Sequence, residues 1–342
     1  MNPQIITALA QTLCVPETAV HITLRPPLDF QSNSLYDVWA AGRHFIAKEY
    51  LNPDELEVAP DREFQALHWL ADLDIAPRPV FYDPALAPVV VYEFMPGEMW
   101  NRQPPTPEQL TRLATLFTQL HALPTEGLWT SRAYEQSLQA RRTAVQKSFQ
   151  SYATWVVEKQ PHLQPLADTC LDLLSKYDVM AEELVHYQPV LTFCRLDSRF
   201  ANVIARPDGR LGLVDWEDSG LGDPALDLAD LLIAANQEDL LDRAGREALL
   251  RPYLAIRTPQ DPTLERRIQL YVGILTIFWL GLLLPAGVRK AQTGQLVDWR
   301  VNGMLANQRL RRYLARALAW PRSDFAEELA QLESVEFFPN IC

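Results

Sequence analysis

The segment CRLDSRFANVIARPDGRLGLVDWED, residues 194–218, restricts what this chain can fold into more than any other stretch. Two short apolar runs, NVIA and LGLV, flank Pro207, Asp208 and Gly209. Those three residues favour a tight turn, because proline fixes φ, aspartate bonds to the backbone ahead of it and glycine accepts a positive φ. A turn centred near Asp208 pairs residues whose numbers sum to about 416 or 417, so Asn202 returns opposite Val214 or Asp215. Asp197, on the loop leading in, folds over the same end. A carboxylate and an amide oxygen on neighbouring strand ends are hard donors suited to Mg²⁺, which keeps waters and shares itself with phosphate oxygens. The remaining aspartate is free to orient a hydroxyl. Phosphoryl transfer needs such a set, because there the protein positions groups and neutralises charge. Polar residues at strand ends are also what a plain surface hairpin shows, so the rest of the chain has to decide.

A length of 342 residues suits one large domain or two lobes. Residues 3–13 have helical apolar spacing. From His21 to Tyr50 the runs HITL, LYDVWAA and HFIAKEYL read as an antiparallel meander, with Gly42 and Arg43 at a hairpin turn. Pro60 and Asp61 open a helix with Phe64, Leu67 and Leu70 on one face, and APVVVYEFM is a strand apolar on both faces. The segment PGEMWNRQPPTPEQL reads as the boundary between a β-rich lobe, residues 1–95, and a helical lobe, residues 96–342. Thr106, Pro107 and Gln109 form a capping box that starts the helical part. The expectation is an α+β chain in two lobes.

Several classes are disfavoured. Lys plus Arg total 31 against 43 for Asp plus Glu, and the net charge of −12 repels a nucleic-acid backbone. That balance suits a cationic small molecule, or simply solubility. Cys14, Cys170, Cys194 and Cys342 have no CxxC spacing, and the six His form no zinc pattern. With no signal-peptide pattern at the N-terminus, a cytoplasmic protein is expected. The 18 uncharged residues from Tyr271 to Val288 suit either a membrane span or the central helix of a helical lobe. The lack of a second such run favours the helix, so no membrane partner is expected. Residues 220–225, GLGDPA, fit a dinucleotide fingerprint with Glu238 downstream. They follow their strand late, place an aspartate against the pyrophosphate and lack a βαβ frame, which argues against an NAD enzyme.

The D-x4-N spacing, the hairpin, Asp215-Trp216-Glu217 and GLGDPALDLADLL together resemble the aminoglycoside phosphotransferase and choline kinase family, small-molecule relatives of the protein kinases. The likeness runs from about residue 20 to about residue 240. It implies a bilobal protein-kinase-like fold, with a small antiparallel-sheet N-terminal lobe and a larger helical C-terminal lobe. It also implies ATP- and Mg²⁺-dependent transfer of the γ-phosphoryl group to a hydroxyl of a small polar acceptor, aminoglycoside-like or choline-like. On that resemblance Asp197 is the catalytic base, and Asn202 and Asp215 are the Mg²⁺ ligands. Lys48, in FIAKEY, contacts the α- and β-phosphates and Glu63, in DREFQAL, pairs with it. On its own, a lysine ending an apolar strand is more often solvated than functional, and its position before a helix that carries a glutamate is what favours the functional reading. Ser32 and Asn33, in QSNSLY, belong to the phosphate-covering turn, and backbone groups of Glu93 and Met95 face the adenine edge.

Asp227 resembles a brace for the catalytic loop, while for Asp223 and Asp230 a helix-capping or solvated carboxylate accounts for the residue at least as well as a functional role. Glu217 and Asp218 offer charge to an ammonium group, and Trp100 or Trp279 a π face, although a tryptophan in an apolar helix is usually core. Two departures stand out. Arg195-Leu196 replaces the family's His-Gly before Asp197, and Gln31 replaces the first Gly of the phosphate turn. An arginine so close to Asp197 is expected to depress its pKa. The departures leave a non-catalytic, nucleotide-binding pseudokinase as the alternative.

Overall fold

Period-2 alternation along the third strand decides which side chains reach the cleft. The computed structural model describes all residues except 1–2, 28–31, 55, 87, 101–102, 235–236, 238–239, 302 and 340–342. Gln31, Glu238 and Cys342 therefore lie outside the described residues. Helix α1 (Pro3–Thr12) precedes β1 (His21–Leu24), β2 (Ser34–Ala40) and β3 (Arg43–Glu49), and α2 (Ala59–Trp69) precedes β4 (Pro79–Phe81) and β5 (Val89–Glu93). These strands form one antiparallel sheet in the order β1-β2-β3-β5-β4. Phe45 and Ala47 of β3 bury one face with Val89 and Val91, against Ile5 and Leu9 of α1. Ile46, Val90 and Tyr92 belong to the larger core on the other side. Lys48 shares the parity of Ile46, so its ammonium points the same way.

The β2–β3 register pairs Ala40 with Arg43, which leaves Ala41 and Gly42 as a two-residue turn with φ of 53° and 72°. Positive φ at both positions matches the twist of the flanking strands. Arg43 therefore begins the strand, not the turn as its sequence suggested.

The helical part follows β6 (Glu98–Met99). Helix α3 (Pro107–Leu120) starts at the expected box, where Thr106 N–H donates to Gln109 Oε1 (2.8 Å) and Gln109 N–H to Thr106 Oγ1 (3.3 Å). Then come α4 (Arg132–Glu135), α5 (Leu138–Lys159), α6 (Gln164–Leu184), β7 (Thr192–Cys194), β8 (Val203–Ala205), β9 (Leu211–Leu213) and β10 (Gly220–Gly222). The chain continues through α7 (Pro224–Ile233), α8 (Arg243–Arg257), α9 (Leu264–Gln292), β11 (Arg300–Val301), β12 (Met304–Leu305), α10 (Ala306–Ala319) and α11 (Ala326–Gln331). Helix α9 carries the uncharged run and is long and apolar enough to cross a membrane, yet 61% of that window is buried within the chain. It packs against α5, α6, α7 and α10 as the central helix.

Strands β6, β8 and β9 form a second sheet, in which Val203 pairs with Leu213, Ile204 with Gly212 and Ala205 with Leu211. Val214 N–H donates to Asn202 O (3.0 Å), so Asn202 lies opposite Val214 as the turn chemistry required.

Candidate active site

The hairpin end gathers three oxygen-bearing side chains. Asn202 Nδ2 lies 3.3 Å from Asp197 Oδ2 and 3.2 Å from Asp215 Oδ2. The backbone is left-handed at Leu196 (φ 52°), Asp197 (54°) and Asp215 (71°), a conformation that costs a non-glycine residue about 1–2 kcal/mol. Leu196 thus adopts at the family's Gly position the backbone that glycine takes most easily.

What holds the loop there is a set of buried polar contacts. Asp227 Oδ2 accepts from the Arg195 amide (2.8 Å) and His121 Nε2 (3.1 Å), and its Oδ1 from the Leu196 amide (2.9 Å) and Ser198 Oγ (2.8 Å). Burial opposes ionisation of Asp227, but His121 and these amides outweigh it and hold its pKa below the usual range. Gln237 accepts from Phe200 N–H (3.0 Å) and donates to Ser198 O (3.1 Å), clamping the next turn. Asp223 caps α7 through the Ala225 amide (2.9 Å) and pairs with Arg267 (2.9 Å), so its role is structural.

Arg195 does not reach the Asp197 carboxylate. Its buried guanidinium donates to Val214 O (2.5 Å) and lies over the Trp216 ring, tying the loop before Asp197 to the strand before Asp215. The partner of Asp197 is Arg199, whose Nε and Nη2 both donate to Oδ2 at 3.0 and 2.5 Å.

Lys48 Nζ meets Glu63 (2.7 Å), Asp215 Oδ1 (2.5 Å) and Glu217 (2.9 Å). Burial disfavours its charge, but Asp215 and Glu63 more than offset that and raise its pKa well above normal. Asp215 is held at about 2 because Lys48 and Arg199 outweigh its own burial. Tyr50 donates its hydroxyl to Glu63, fixing the carboxylate that fixes Lys48. Glu217 Oε2 also accepts from Asn33 Nδ2 (3.0 Å), so it joins the turn at Asn33 to this cluster. Burial pushes Glu217 up to about 8. Ser32 is exposed at the same turn.

A cleft of about 1080 Å³ lies between the two sheets, lined in part by Leu35, Ile46, Tyr92, Met95, Ile204 and Val214. Its apolar walls suit a flat heterocycle. Glu93 N–H donates to Arg78 O (2.8 Å) and its carboxylate pairs with Arg43. Met95 N–H, by contrast, has no acceptor among the described residues. A Cβ at Gly212 would stand 2.0 Å from Met95 Sδ, so any side chain there would push the flexible methionine tip away from β9. Trp100 is buried edge-on against Phe200, and half-buried Trp279 packs into the helical core, so both read as packing residues.

Half-buried Asp230 accepts from Ser198 N–H (2.9 Å). Burial and the nearby Asp197 charge raise its pKa to about 7. Because the folded value exceeds the unfolded one, the native state holds an extra proton between about pH 4 and pH 7, and stability falls as pH rises through that window. Asp230→Asn is expected to flatten this decline by about 1–2 kcal/mol, read as a smaller drop in urea midpoint between about pH 5 and pH 8. An unchanged slope would rule out this origin.

The donor set at the hairpin end fits Mg²⁺: an ionised carboxylate from half-buried Asp215 and an amide from buried Asn202 beside it, with no sulfur or imidazole in reach among the described residues. The Asn202 amide turns its nitrogen to the two carboxylates, and rotation about its terminal torsion presents the oxygen to a cation. His121, Cys194 and Asp227 also lie close together, but Asp227 is saturated by the loop and His121 Nδ1 by Tyr253 OH (2.6 Å).

The model of a group described as the phosphotransferase enzyme family matches residues 23–267. Thiamine kinase of Escherichia coli O81 (strain ED1a) is 30% identical over 195 residues, covering 55% of this chain and 58% of that protein. The chain thus matches somewhat over half the length of this curated relative. The choline kinase LicA from Streptococcus pneumoniae superposes with a TM-score of 0.57 at 18% identity, over 96% of this chain and 98% of that one. The structure of the gentamicin-APH(2")-IIa complex gives 0.53 at 15% identity, over 97% and 96%. At these identities the likeness establishes the fold, a bilobal protein-kinase-like α+β architecture with a small antiparallel-sheet lobe and a larger helical one. With a match that spans the sheet, the hinge and the hairpin as far as α9, the chain belongs to the phosphotransferase enzyme family.

Proposed function

We propose that this chain is an ATP- and Mg²⁺-dependent phosphotransferase acting on a hydroxyl of a small polar molecule. The nucleotide lies between residues 1–95 and residues 96–342, its purine in the cleft beside Met95. Lys48, held by Glu63, meets the α- and β-phosphates, and Ser32 and Asn33 cover them. Asn202 and Asp215 hold Mg²⁺, which when bound neutralises phosphate charge. The acceptor oxygen attacks the γ-phosphorus and forms the new O–P bond. The bond to the β–γ bridging oxygen breaks, ADP leaves with that electron pair, and the hydroxyl proton passes to Asp197. The observation that carries this reading is the convergence of Asp197, Asn202 and Asp215 within hydrogen-bond reach of one another, beside Lys48.

A small-molecule partner in the cytoplasm belongs to the same reading; the described cysteines, Cys14, Cys170 and Cys194, are free thiols. The kinases among the structural and sequence relatives make choline, thiamine and amino sugars the first acceptors to try. The second reading, a nucleotide binder without transfer, is favoured by Arg195-Leu196 in place of His-Gly. Calorimetric titration with MgATP tests what both share: wild type binds, and Asp215→Ala weakens binding by at least about tenfold. Equal affinities would remove the metal assignment.

A further inference from the structure

Resting on the phosphotransfer reading, we infer that Arg199 is a catalytic residue that contacts the transferring phosphoryl group. Charge develops on the equatorial oxygens of that group in the transition state, and a preorganised donor there is worth far more than in water. Among the described residues three cations stand at the convergence point. Lys48 is held by Glu63, Asp215 and Glu217 on the nucleotide side. Arg195 is fully buried beneath the loop, against Val214 O and Trp216. Arg199 alone sits beside Asp197 with 32% of its side chain exposed.

Its geometry suits the task. Nε and Nη2 both donate to one oxygen, Asp197 Oδ2, which also accepts from Asn202 Nδ2 (3.3 Å). Oδ1 is then the oxygen left for the acceptor hydroxyl. Because the guanidinium is planar, engaging its Nε/Nη2 edge directs Nη1 away from the carboxylate, and Nη1 has no partner among the described residues. A phosphoryl group passing between the acceptor oxygen at Oδ1 and the departing ADP comes next to that free donor. Arg199 also precedes the turn that ends at Asn202, so base, phosphoryl donor and metal ligand ride on one short loop.

A residue that only oriented Asp197 would not change binding of a planar phosphoryl mimic. The test is calorimetric titration with MgADP, alone and with aluminium fluoride, on wild type, Arg199→Ala and Arg199→Lys. Wild type is expected to bind MgADP at least about a hundredfold more tightly with fluoride. Arg199→Ala should lose at least about thirtyfold of that gain while its affinity for MgADP alone stays within about threefold, which also shows that it folds, and Arg199→Lys should recover part of the loss. Full fluoride enhancement in Arg199→Ala, or none in a wild type that binds MgADP, would overturn the inference and leave the nucleotide site standing. Failure of wild type to bind MgADP would overturn the phosphotransfer reading and this inference with it.

Discussion

Asp197→Asn is expected to lower kcat by about 10²–10⁴ while leaving MgATP affinity within about threefold. Asparagine keeps the size of the side chain and an oxygen for Arg199, but it cannot take the proton of the attacking hydroxyl. Asp197 carries no direct bond to Lys48, so the nucleotide side should be undisturbed. Initial rates of ADP release with a saturating acceptor, set beside calorimetric MgATP affinity, give both numbers. A rate within about threefold of wild type would show that proton acceptance lies elsewhere.

The second large effect is on folding. Asp227→Ala is expected to cost about 3–5 kcal/mol, because it strips a buried acceptor from two backbone amides, Ser198 Oγ and His121 at once. Those contacts also hold Leu196 and Asp197 in left-handed backbone, so activity should fall along with stability. The folded pKa of Asp227 is depressed, so its contribution is present above the usual carboxylate range and disappears as pH falls through the lower folded value. Urea denaturation near pH 7 should show a much lower midpoint for the variant, and the gap should narrow in strong acid. A midpoint shift equivalent to under about 1 kcal/mol would show the loop to be held by something else, with Gln237 the first alternative.

Local chemistry was legible in the sequence, and tertiary partnership much less so. The turn at Pro207-Asp208-Gly209 fixed the register that places Asn202 against Val214, and the capping box fixed the start of α3. Strand parity at β3 located Lys48, and the family likeness supplied Glu63, 15 residues away, as its partner. Arg199 stood in plain view two residues after Asp197, yet no periodic pattern marks an i, i+2 pair. Left-handed backbone at Leu196 and Asp197 brings those side chains together and sends Arg195 beneath the loop. His121 and Asp227 lie 106 residues apart, one just past the end of α3 and the other within α7, and only the tertiary fold makes them partners. Glu217 read as an open anion because its turn inward to Lys48 and Asn33 depends on how the two lobes meet. The acceptor is named by neither the chain's charge nor its aromatic residues, since Trp100 and Trp279 are taken up by packing.

The most direct measurement is ³¹P NMR of the full chain incubated with MgATP and, in turn, thiamine, choline and amino sugars. The account predicts a phosphate monoester signal that grows with one acceptor at the rate ADP appears, and that Asp197→Asn forms at least about a hundredfold more slowly. MgATP bound at the cleft with no ester formed from any alcohol offered would contradict phosphoryl transfer and leave a nucleotide-binding protein.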